Sequence, residues 1–175
     1  MTTRRTFLLA GTAGAAALTL AWWLRGTPER TAGTGADAPL AALDPGAPAI
    51  VAAIVPVMLA GALPDDDAAR AGALRETVTN VGRAIGGLPP GAQKEMAELF
   101  ALLGLPATRV ALAGIGTPWD EASPAAVAAF LERWRTSRFM LLRSAYDALH
   151  QLILAAWYGN ERAWRAIGYP GPPEI

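Results

Sequence analysis

The chain has one histidine, His150, and it lies three residues after Asp147, so a helix would carry both on one face. Such a pair can orient a general base, but acid–base catalysis also needs a nucleophile or second acid within hydrogen-bond reach, and no residue stands at matched spacing. The pair therefore reads as an ordinary ion pair on a helix surface. Glu95 with Glu98, and the run Asp65-Asp66-Asp67, read as solvated faces or helix caps, because a hard-cation site needs more oxygen ligands converging from a loop. Gly86-Gly87 and Gly114-Ile115-Gly116 follow no strand pattern and precede no Lys-Ser/Thr pair, so neither cradles a phosphate. The absence of cysteine excludes disulfides, thiolate zinc, cysteine-ligated iron–sulfur clusters and covalent c-type haem. No catalytic residue, metal ligand or cofactor-binding residue can be named from residue types and spacing.

Residues suited to binding are easier to find. Arg133, Arg135, Arg138 and Arg143 make a positive patch, which is either a solubilising helix face or a dock for an acidic partner, with Arg135 and Arg138 at its centre. Trp157, Tyr158, Trp164 and Tyr169 precede Pro170-Gly171-Pro172-Pro173, a sequence that disfavours helix and predicts an extended, polyproline-like end. Aromatic side chains on a stiff tail can anchor an interface at low entropic cost, or they can fold back to cover the end of their own bundle. The candidate partner interface is thus Trp157, Tyr158, Trp164, Tyr169, Pro170 and Pro172 with Arg135 and Arg138.

The elements that must position these residues are helical. Ser123 can accept hydrogen bonds from first-turn amides, and Pro124 stands where a missing N–H costs nothing, so a helix begins there. Val127, Phe130, Leu131, Trp134, Leu141, Leu142, Ala145, Leu149, Leu152, Ile153 and Ala156 then recur at three- and four-residue steps, with charges taking the other side. Unbroken to Gly159-Asn160, this helix would be roughly 50 Å long, unusual for a compact domain, and Thr136-Ser137 is the expected break. Upstream, Ala49–Leu63 is a buried apolar helix bent at Pro56; Ala68–Ile85 follows an acidic start; Pro90 opens a third helix that ends at Gly104. A short helical turn from Thr108 to Ala113 and a loop through Trp119 complete the set. No segment alternates with period two, so the fold class is an all-α bundle built around a long C-terminal helix or helix pair.

The start of the chain carries an address. Thr3-Arg4-Arg5-Thr6-Phe7-Leu8 precedes a charge-free run to Leu24, rich in Ala, Gly and Thr, so the arginines stay with cytoplasmic headgroups while the run enters the bilayer. Arg4, Arg5, Phe7 and Leu8 resemble the twin-arginine (Tat) signal, which implies a periplasmic location. Residues 1–25 are the signal, or an uncleaved inner-membrane anchor flanked by Trp22-Trp23; residues 26–48 are a flexible linker; residues 49–175 are the helical domain. Setting residues 1–38 aside leaves a nearly neutral remainder, which makes nucleic acid a poor partner.

The leader, the apolar helix with Pro56, Leu99-Phe100-Ala101-Leu102-Leu103, Pro118-Trp119, Trp134-Arg135-Thr136-Ser137, Trp157-Tyr158-Gly159-Asn160 and Ile167-Gly168-Tyr169-Pro170-Gly171-Pro172 together resemble the gluconate 2-dehydrogenase small (gamma) subunit family and its Tat leader-containing periplasmic relatives. The resemblance implies a non-catalytic accessory subunit without a cofactor of its own. Its partners would be a leaderless FAD-dependent catalytic subunit of the glucose–methanol–choline type, a cytochrome c subunit and the Tat translocase, through which it escorts the folded enzyme as a chaperone. The alternative is a stand-alone, membrane-anchored periplasmic helical module that binds a lipid or small apolar ligand between its helices.

Overall fold

A computed structural model describes Leu40, residues 43–166 and residues 168–170. Every described residue belongs to one compact unit. Arg4, Arg5, Phe7, Leu8 and Pro172 lie outside the described residues.

Among the described residues seven α-helices account for most of the regular structure, and there is no strand. The helix α1, Ala47–Met58, has no charged residue and packs against four other helices: α2 (Asp67–Gly86), α3 (Pro90–Gly104), α5 (Pro124–Arg135) and α6 (Met140–Tyr158). Between α3 and α5 lie a one-turn α4, Pro106–Thr108, a π-helical turn, Arg109–Ala113, and a 3-10 turn, Trp119–Glu121. A last short helix, α7, spans Glu161–Ala166.

Ile50, Val51, Ile54 and Val55 of α1 are buried, so this all-apolar segment is a core helix. Its Pro56 sits in the last turn, and the carbonyl it leaves without a donor belongs to Ala52, which is exposed to water. The packed body starts earlier than the reading of residues 26–48 as linker allows. Leu40 and Ala47 are fully buried, and Asp44 accepts a hydrogen bond from the Gly46 amide at 2.8 Å just ahead of the helix.

The acidic run caps α2: the Asp66 carboxylate accepts from the Ala69 amide at 2.7 Å. Val78, Val81 and Ile85 face the core, and Gly87 ends the helix. Asn80 Nδ2 reaches the Ala156 carbonyl at 3.4 Å, linking α2 to α6.

The expected break at Thr136-Ser137 is real. Ser123 Oγ caps α5 from the Ala126 amide at 3.2 Å, the helix stops at Arg135, and α6 starts at Met140. Because Ala128, Leu131, Glu132 and Arg135 of α5 line one groove with Tyr146 and His150 of α6, the two helices form a hairpin instead of one long rod. Val127, Phe130, Leu131 and Trp134 from one arm and Leu149, Leu152, Ile153, Ala156 and Trp157 from the other are buried. Leu141, assigned by periodicity to the apolar face, is instead 78% exposed, while Leu142 beside it packs against the core.

Candidate interaction site

The π-helical turn is held by side chains from outside it. A π turn leaves carbonyls without the usual i to i−4 donors, and two of them, at Leu112 and Ala113, are met here by long donors from α5, while Arg109 of the turn itself reaches past it. Trp134 Nε1 donates to Leu112 O at 3.0 Å, Arg133 donates to Ala113 O, and the buried Arg109 donates through Nε to Ile115 O at 3.3 Å. Gly114 turns the chain at φ +64, and a Cβ there would lie 2.6 Å from Arg133 Nη2. Trp119 Nε1 donates to Leu103 O at 2.8 Å, and its ring meets Phe130 edge to face, as Phe130 meets Trp134. The Pro118-Trp119 and Trp134-Arg135 blocks are therefore framework.

The C-terminal aromatics divide into two sets. Trp157 is 3% exposed and belongs to the core, which corrects its assignment to the partner interface: it continues the buried stripe of Ile153 and Ala156. Tyr158, one residue on, faces solvent at 43% exposure, and Tyr169 does so at 45%. Trp164 is half-buried, and its Nε1 donates to the Tyr158 carbonyl. After α7 the chain reverses at Gly168, φ +71, and the Tyr169 amide donates back to the Trp164 carbonyl at 2.9 Å. This is a glycine C-cap of the Schellman type, and its usual apolar contact is present, since Tyr169 meets Trp164 edge to face at 5.6 Å. The chain thus turns at Gly168 and Pro170 emerges exposed, while residues 171–175, which carry most of the expected polyproline-like end, lie outside the described residues. Arg162 pairs with Glu76 of α2 at 3.5 Å, fixing α7 to the bundle.

The arginine patch also divides. Arg135 makes a two-point contact with Glu132 at 2.9 Å, so its charge is answered on its own helix, and Arg133 is committed to Ala113. Arg138 and Arg143 pair with no carboxylate among the described residues; Arg138 lies over the Phe139 ring at 4.8 Å, and Arg143 donates to the Ser137 carbonyl. Beside them Phe139, Met140 and Leu141 stand 57%, 74% and 78% exposed. Sequence reasoning missed Phe139 and Met140. The available signal was their adjacency: three large apolar residues in consecutive positions cannot all face one side of a helix.

Asp147 and His150 form no ion pair; His150 lies parallel to Tyr146, one helical turn earlier, at 5.6 Å and 16°. The groove lined by Tyr146 and His150, about 210 Å³, opens to solvent between Val57, Met58 and the α5–α6 hairpin. A second groove of about 270 Å³ is walled by Glu76, Asn160, Glu161 and Arg162. Both are open and polar-rimmed, unlike the enclosed apolar cavity that a ligand held between helices would need. Among the described residues no three His, Cys, Asp or Glu side chains converge as a metal site, and no single helix is long and apolar enough to cross a membrane.

No protein-family model, curated protein or solved structure matches this chain.

Proposed function

We propose that this protein is a non-catalytic small subunit of a periplasmic FAD-dependent dehydrogenase of the glucose–methanol–choline type, escorting a leaderless catalytic subunit through the Tat pathway and stabilising it. The reading rests on the twin-arginine leader and on the resemblance to the gluconate 2-dehydrogenase gamma family, whose most specific block is Gly168-Tyr169-Pro170-Gly171-Pro172. The observation that carries it furthest is what that block builds. Gly168 and Tyr169 close a hydrogen-bonded turn on Trp164 that holds an aromatic surface, with Tyr158 and Tyr169, partly out in water. Pre-organised, solvent-facing aromatics are the residues that dominate protein–protein binding energy.

The test is co-expression of tagged full-length chain with any leaderless FAD-dependent dehydrogenase of the glucose–methanol–choline type that the same genome encodes. Co-purification is expected, and Arg4→Lys with Arg5→Lys should leave both polypeptides in the cytoplasm. A flavoprotein that reaches the periplasm normally in a strain lacking this chain would overturn the proposal.

A further inference from the structure

We infer that the tip of the α5–α6 hairpin, Arg138 to Leu141 with Arg143, is a docking surface for an anionic lipid bilayer. This goes beyond the escort reading and stands independently of it.

Three observations favour lipid over other occupants. Phe139, Met140 and Leu141 are among the most exposed large apolar side chains described, and they are contiguous in sequence, at a turn. Side chains at successive helix-entry positions point about 100° apart, so the three fan outward. A flat protein face covers one side of such a fan, whereas a lipid surface envelops it and requires no matching pocket. The flanking charge has the matching sign: Arg138 and Arg143 have no carboxylate partner among the described residues, so no carboxylate answers their charge, and Arg143, although it donates to the Ser137 carbonyl, keeps other guanidinium N–H groups for a phosphate headgroup. A second copy of the chain would set these same guanidinium groups against each other. The stacking of Arg138 over Phe139 keeps the cation beside the ring, as a group at the headgroup boundary requires.

The chain has no cysteine, so Met140→Cys gives a single labelling site at the tip of the full-length protein. An environment-sensitive fluorophore there should shift to the blue, and be quenched by spin-labelled lipid, with vesicles of phosphatidylethanolamine and phosphatidylglycerol. It should stay water-exposed with phosphatidylcholine alone. Arg138→Glu with Arg143→Glu should cut that quenching about tenfold or more, while the same label at Glu95→Cys, exposed on α3, stays unquenched throughout. Because the label reports only its own position, vesicle binding through residues 1–25 does not mimic the result. A tip label that stays in water while the chain is bound to anionic vesicles overturns the inference. So does equal quenching in phosphatidylcholine, and so does a concentration-dependent shift without vesicles, which would assign the tip to a second copy.

Discussion

Two aromatic groups in this molecule share an edge-to-face geometry and differ in what surrounds them. Trp119, Phe130 and Trp134 meet edge to face at 5.8 and 4.7 Å, and Trp164 meets Tyr169 the same way at 5.6 Å. In both groups each indole N–H donates to a backbone carbonyl. Yet Trp119, Phe130 and Trp134 are at most 4% exposed, whereas Tyr169 is 45% exposed. The first group closes the core and ties an irregular stretch to α3 and α5. The second is built by a six-residue helix and a glycine turn at the edge of the fold, where it covers little of the core. Equal stacking geometry therefore carries unequal shares of stability, since burial supplies most of the energy and ring contact adds only about 0.5–1.5 kcal/mol.

That contrast can be broken by substitution. Trp134→Ala empties a fully buried site and frees the Leu112 carbonyl, so it should cost about 3–5 kcal/mol in chemical denaturation followed by circular dichroism. A cost near that of an exposed residue would show that the π-helical end is not part of the cooperative core. Gly114→Ala forces a side chain into the left-handed region and displaces the Arg133 guanidinium, an expected loss of about 1–2 kcal/mol. If Arg133→Ala leaves that loss unchanged in the double variant, backbone conformation accounts for all of it.

The C-terminal group sharpens the comparison from the other side. At Gly168 the φ is also left-handed, but no atom lies within 4 Å of an added Cβ. Gly168→Ala should therefore unlock only the turn, by about 1 kcal/mol, raising amide exchange at Tyr169 with little change in the global unfolding midpoint. Tyr158→Ala with Tyr169→Ala should alter stability by less than about 0.5 kcal/mol and yet reduce co-purification of the proposed partner about tenfold or more. A double variant that unfolds the bundle would return these residues to the framework.

The pattern of helices was legible because its signals are local. A cap oxygen such as Asp66 or Ser123 acts within three residues, Pro124 and Pro90 fix their own φ, and three- and four-residue spacing places Val127, Phe130, Leu131 and Trp134 on one stripe. Even the break after Arg135 follows from helix length and composition. The sites were less legible. Trp157 and Tyr158 are adjacent aromatics, and the choice of which one turns inward depends on where α6 meets α2 and α5. Leu141 and Leu142 both fit a three- or four-residue stripe in α6, but only Leu142 packs against the core and Leu141 faces out. The four arginines look equivalent in sequence. Three-dimensional placement gives Arg133 to a carbonyl from the π-helical turn and Arg135 to Glu132, leaving Arg138 and Arg143 free of carboxylate partners among the described residues.

The sequence by itself determined the all-helical class, most helix ends and the apolar stripes, because each arises from interactions within one or two turns of chain. Only the tertiary structure decided which aromatic is core and which is surface, which arginines keep an unanswered charge, and that three apolar residues stand in water at a turn. Those outcomes depend on what distant segments cover, and coverage is a property of the packed molecule, not of any one stretch.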